Sequence, residues 1–140
     1  FASYLVEILT VKNWPFDLII PVPLSAQRKK ERTYNQSALL SRPIARYFQL
    51  EHSVSALRRT KDTGTQVKRN RADRDLSLKD AFSGNPAKLK GRSVLLVDDI
   101  ITTGATINHC SEALLQVGAV RVYAVSLAKT FRDGVTRDNN

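Results

Sequence analysis

The stretch "SVLLVDDIITTGATI", residues 93–107, joins a continuous apolar run to two adjacent aspartates and then to a short segment rich in threonine and glycine. An unbroken aliphatic run of this kind reads as a strand buried on both faces, typical of a parallel sheet. A helix is expected from about 104 to 118, with Ile107, Cys110, Leu114 and Val117 at core-facing spacing and Gly118 at its end. In open α/β sheets, ligands bind beyond the carboxyl ends of the strands, so Asp98 and Asp99 fall on the binding rim. The turn entering the helix is made of Thr102, Thr103, Gly104, Ala105 and Thr106. Helix N-termini offer unpaired N–H groups and a positive dipole end, which together favour a phosphate. The two carboxylates would repel that phosphate. They call instead for hydrogen-bond donors or a cation: vicinal hydroxyls, Mg²⁺, or both. A phosphate at the helix end and a diol at the acids describe a ribose 5-phosphate. A generic flavodoxin-like domain leaves the order of acids before the Thr/Gly turn unexplained.

Around this stretch, strands alternate with helices. Residues 1–12 read as a helix with Phe1, Leu5, Ile8 and Leu9 on one face. "DLIIPVP" (17–23) reads as a short buried strand, followed by a basic loop and a helix from about Asn35 to Phe48, kinked at Pro43. "SVSALRR" (53–59) and "SLKDAFS" (77–83) are strand candidates, "GNPAKLKG" (84–91) a turn, and "VRVYAVSL" (120–127) the last strand. This order predicts one α/β domain over 1–140, with a central, mostly parallel sheet flanked by helices. Residues 60–76 are expected to form a long flexible basic loop.

The chain carries a net charge of +9, and two stretches hold most of it. RKKER (28–32) has four bases and one acid; 58–74 has seven bases (Arg58, Arg59, Lys61, Lys68, Arg69, Arg71, Arg74) against Asp62 and Asp73. Such clustering points to a polyanionic partner, a phosphorylated small molecule or nucleic acid. No apolar run approaches the roughly 20 residues of a membrane span. The single cysteine, Cys110, leaves no internal disulfide or cysteine-based zinc site and fits a reducing cytoplasm. The absence of methionine and the start at Phe1, inside an amphipathic segment, suggest a piece of something longer. Cys110 is expected to be a buried small hydrophobe, His109 a helix-flank residue, His52 no metal ligand, and Trp14 a packing residue.

"VLLVDDIITTGAT" resembles the phosphoribosyl pyrophosphate (PRPP) motif of type I phosphoribosyltransferases: four hydrophobics, paired acids, two hydrophobics, and a Thr/Gly phosphate loop. "PVPLSAQRKKERTYNQ", "LRRTKDTGTQ", "RADR" and "AF" are together similar to the ComF family of competence-associated proteins of this type. The resemblance covers about 17–128. Members carry an Arg-Gly-Phe-Asn-Gln run where this chain has Arg32-Thr33-Tyr34-Asn35-Gln36, and often Asn where Ser77 stands. The family's N-terminal Cys-rich module is absent from this sequence.

The resemblance implies a type I phosphoribosyltransferase-like fold and a Mg²⁺-dependent transfer of the 5-phosphoribosyl group from PRPP to a nitrogen acceptor, releasing pyrophosphate. Asp98 and Asp99 would hold the ribose hydroxyls, directly or through Mg²⁺, and Thr102, Thr103, Gly104, Ala105 and Thr106 the 5-phosphate. Pyrophosphate would fall to the loop of Leu24, Ser25 and Arg28 and to Arg59, Lys61, Gln66, Arg71 and Arg74, carried on a closing loop. Enzymes for 6-oxopurines place an acid where Thr102 stands, and a neutral hydroxyl is a poor general base, so that class is disfavoured. The competing reading is a PRPP-binding module that engages single-stranded DNA without turnover. From Gln49 to Ala81 there is no Phe, Tyr or Trp to stack on bases, which tilts the larger basic cluster toward pyrophosphate. The resemblance allows a homodimer.

Overall fold

The computed structural model describes residues 1–24, 34–60 and 78–129. In chain order these form α1 (Ala2–Lys12), β1 (Leu18–Pro21), α2 (Gln36–Phe48), β2 (Glu51–His52), β3 (Leu57–Arg59), β4 (Phe82–Gly84), α3 (Pro86–Leu89), β5 (Ser93–Ile101), α4 (Ala105–Gln116) and β6 (Arg121–Lys129). Four strands make one sheet in the order β2-β1-β5-β6, all parallel, while β3 and β4 pair antiparallel as a separate ribbon.

The apolar run of β5 occupies the middle of the sheet. Leu95 pairs with Ile19 on one side and Tyr123 on the other, and every residue from Val94 to Val97 is fully buried. Side chains alternate across the sheet and feed two cores. Val94 and Leu96, with Leu18 and Ile20, pack under Cys110 and Leu114 of α4 and under Leu57 and Phe82 of the ribbon. Leu95 and Val97, with Ile19, pack under Leu5 and Leu9 of α1 and Leu40 and Ile44 of α2. A helix layer therefore lies on each face. At the amino ends of the strands, Arg92 reaches Asp17 at 3.0 Å and Glu51 at 3.3 Å, tying the starts of β5, β1 and β2 together.

Several expectations are corrected. Phe1 is the N-cap of α1 and is 93% exposed, because Leu5 and Leu9, one turn apart, already supply the buried stripe. Of the strand read over 53–59 only Leu57–Arg59 is extended, as β3, and a separate short strand, β2, precedes it at Glu51–His52. Between them Ser53 Oγ accepts the Ala56 N–H at 3.1 Å, and this local turn competes with extension. The strand read over 77–83 shrinks to β4, since Asp80 adopts φ 59° and turns the chain just before it. Residues 84–91 hold a short helix, α3, where Asn85 caps the Ala87 N–H at 3.1 Å and Pro86 stands at the first position. Helix α2 continues through Pro43 to Phe48. Trp14 stacks on Tyr123 with ring centroids 5.0 Å apart, a packing role as expected. The basic loop of 60–76 lies outside the described residues, apart from Thr60.

Candidate functional site

Strand β5 leaves the core at Asp98. The side chain is 8% exposed, and Asp99 beyond it is half-buried. Asp98 Oδ1 accepts the Asp99 N–H at 2.9 Å and the Ser37 hydroxyl at 3.2 Å. Asp99 Oδ1 in turn accepts the Ile100 N–H at 2.9 Å, so these two backbone donors are claimed by the neighbouring carboxylates. Burial first, and then the adjacent Asp99 carboxylate, push the Asp98 carboxyl from its ordinary value of 3.8 up to about 7; the Ser37 and Asp99 N–H bonds pull the other way. The pair is thus one half-buried acid beside a buried one that holds a proton easily.

The turn after β5 runs through Thr102, exposed, and Thr103, half-buried, to Gly104, the N-cap of α4, with φ 85°. That left-handed conformation suits glycine. A Cβ built on Gly104 meets nothing within 4 Å, so the protein leaves open space over this backbone. Thr103 Oγ1 accepts the Ala105 N–H at 3.2 Å, while the Thr106 side chain stays half-buried beside it. First-turn amides of a helix have no partner within it, and a 12-residue helix directs its dipole at the same point. A helix head and open space of this kind are features that favour an anion.

Two more elements meet this rim. Asn35 caps α2: its Oδ1 accepts the Ser37 N–H at 2.9 Å, and its Nδ2 donates to the Val22 carbonyl at 3.0 Å, just past β1. Ser37, 4% exposed, then bonds Asp98. The sequence reading assigned no role to Ser37; its signal was its place two residues after Asn35, inside the helix-start pattern. Arg59, on β3, lies with its guanidinium carbon 5.3 Å from the Phe82 ring centroid. Burial and then Asp98 raise the pKa of the Cys110 thiol well above its ordinary value, and Arg59 partly offsets them. Such a thiol is inert, as expected of a core residue. Leu24 is half-buried past the end of β1. Ser25, Arg28, Lys61, Gln66, Arg71, Arg74 and Ser77 lie outside the described residues.

The rim's donor set bears on Mg²⁺. Among the described residues, no three His, Cys, Asp or Glu side chains gather to hold a metal by themselves. Two neighbouring carboxylates suit Mg²⁺ where phosphate oxygens and water complete its shell, so a substrate-borne ion fits this site. His52 instead contacts the buried Ser41 hydroxyl at 2.6 Å, and burial, then Arg42, lower its pKa. His109 faces Glu112 at 3.7 Å on the helix flank.

Comparison with known proteins decides the family. The phosphoribosyl transferase domain family matches residues 35–139, three quarters of the chain and all of the rim from Asn35 to Thr106. The chain belongs to this family. Within it, the chain is a ComF member. Competence protein F of Haemophilus influenzae is 39% identical over 115 residues, which cover 81% of this chain and 50% of that protein. DNA utilization protein YhgH of Shigella flexneri is 37% identical over 114 residues, again 81% of this chain and 50% of the relative. This ComF chain thus spans about half the length of these curated relatives. Among solved structures, glutamine PRPP amidotransferase from B. subtilis superposes with a TM-score of 0.59 over 89% of this chain and 25% of that one. At 18% identity that likeness shows the fold, the type I phosphoribosyltransferase fold with its central parallel sheet between helices. No helix among the described residues of this ComF chain is long and apolar enough to cross a membrane.

Proposed function

We propose that this ComF chain binds PRPP across the carboxyl end of β5 and transfers its phosphoribosyl group to a nitrogen acceptor, with release of pyrophosphate. The observation that carries the reading is the pairing of Asp98 and Asp99 with the open, left-handed Gly104 turn at the head of α4. The acids hold the ribose hydroxyls. Thr102, Thr103, Gly104, Ala105 and Thr106 hold the 5-phosphate through backbone amides and hydroxyls, each charge-assisted bond contributing roughly 1.5–3 kcal/mol. Arg59, held on β3 against the Phe82 ring, offsets the charge of a departing pyrophosphate. Lys61, Arg71 and Arg74, with Leu24, Ser25 and Arg28, supply further donors to that group. Asp98 and Asp99 share with the substrate the binding of Mg²⁺, which supplies charge neutralisation and orientation of the pyrophosphate. The transition state is cation-like at C1, so the chain's work is positioning and electrostatic.

Two measurements test this. Calorimetric titration of PRPP with Mg²⁺ should give saturable binding that the double variant Asp98→Asn/Asp99→Asn weakens at least tenfold while circular dichroism stays unchanged; equal affinity would remove these acids from the ribose. Incubation with PRPP, Mg²⁺ and a panel of bases and amines should release pyrophosphate with at least one acceptor.

A second reading is favoured by the names of the relatives, a competence protein and a DNA utilization protein. In it, the same pocket senses PRPP and the basic surface contacts the phosphates of single-stranded DNA. Binding of an oligonucleotide that weakens steeply with salt, together with no pyrophosphate release for any acceptor, would select it.

A further inference from the structure

Hydroxyls within these helices ordinarily return their proton to their own helix. Thr10 donates to the Val6 carbonyl at 2.7 Å and Ser111 to the Ile107 carbonyl at 2.7 Å. Ser37 does not. It stands in the first turn of α2 and sends its proton across the sheet to Asp98, 61 residues away in sequence. The hydroxyl is held there from both sides. Asn35 fixes the Ser37 backbone through Oδ1 and anchors itself to β1 through the Val22 carbonyl, while the Val22 N–H is bonded to the Val97 carbonyl at 2.9 Å, one residue before Asp98. The loop of bonds is closed: β5 to β1, β1 to Asn35, Asn35 to Ser37, Ser37 back to β5.

We propose that Ser37 is a positioning residue for sugar discrimination, fixing the Asp98 carboxyl plane so that its second oxygen accepts a hydroxyl of a ribose, not of a 2-deoxyribose. The inference rests on the reading of Asp98 and Asp99 as the diol site. With Oδ1 satisfied by Ser37 and the Asp99 N–H, the carboxyl is held in one orientation, and Oδ2 is the atom that serves the ligand. Without the Ser37 bond the carboxyl is left to the Asp99 N–H and the Asp99 side chain, and the hydroxyl contact lengthens. The phosphate grip at Gly104 belongs to another element and does not change.

Ribose 5-phosphate and 2-deoxyribose 5-phosphate are the probes, titrated into the wild-type chain and into Ser37→Ala and Ser37→Thr variants. The wild type should prefer the ribose form. Ser37→Ala should lose about tenfold in affinity for ribose 5-phosphate with the deoxy form unchanged, the size expected for a hydrogen bond to a charged group. Ser37→Thr, which keeps the hydroxyl, should retain the preference. Should Ser37→Ala fail to fold, Ser37→Cys, close in size but a weak donor, gives the same readout. Equal weakening of both sugars, or of neither, in a wild type that does discriminate overturns the positioning role and leaves the diol site standing. A wild type that binds both sugars equally removes the diol site and this role with it.

Discussion

Asp98 is costly to the folded chain. Its carboxyl ionises near 3.8 when unfolded and near 7 in the fold, so between those values the native state holds a proton that the unfolded chain has lost. Stability from this group is complete below pH ~4 and is lost as the pH rises through about 7. Asparagine has the same shape and still accepts the Ser37 and Asp99 bonds. Thermal melts should therefore show Asp98→Asn above wild type at pH 8 and converging on it near pH 4.5, at the expense of ligand binding. Gly104 offers a second residue-level test with a built-in control. Alanine at φ 85° costs roughly 1–2 kcal/mol, and its Cβ enters the open space where a phosphate is expected. Gly91, φ 76°, also has nothing within 4 Å but sits at the amino end of β5. Both Gly→Ala changes should lower the melting temperature alike, and only Gly104→Ala should abolish PRPP binding in calorimetry.

At the scale of elements, the site depends on how closely α4 is seated against the ribbon and α3. A Cβ on Gly84, at the end of β4, would lie 2.7 Å from Val117 Cγ2, 2.8 Å from Leu89 Cδ1 and 3.1 Å from the Ala113 carbonyl. The two side chains can shift; the carbonyl, part of α4, cannot without moving the helix. Gly84→Ala should therefore destabilise by roughly 1–3 kcal/mol in denaturant unfolding, with ligand affinity falling as the head of α4 is displaced. Elements were legible in the sequence to the extent that their burial was two-sided or strictly periodic. Strand β5 and helix α4 were, because an unbroken aliphatic run and a Cys110–Leu114 stripe admit few alternatives. The ribbon was not. Ser53 and Asp80 impose turns through one side-chain bond and one left-handed residue, and neither alters the hydrophobic pattern. Helix α3 was hidden for a related reason: four residues are too few to show a period, and only the Asn85-Pro86 start betrays it.

For the whole molecule, the acids and the Thr/Gly turn were readable because they are contiguous in sequence and the sheet merely carries them to its edge. Ser37 was not, since its partner is brought to it by the β1–β5 register and by the Asn35 anchor, neither of which a linear reading contains. The same architecture makes the two ends of the sheet unlike. Apolar layers cover both faces of β1 and β5, and Arg92 fastens their starts, whereas the far end consists of polar side chains, a turn and two helix heads. Breathing motions should be confined accordingly. In deuterium-exchange mass spectrometry, peptides spanning 94–97 should take up label last, and added PRPP should slow uptake in 98–106 while leaving 91–93 unaltered. A base packed on both faces and fastened by Arg92 would let a ligand be gripped or released at the top without the body of the protein having to move.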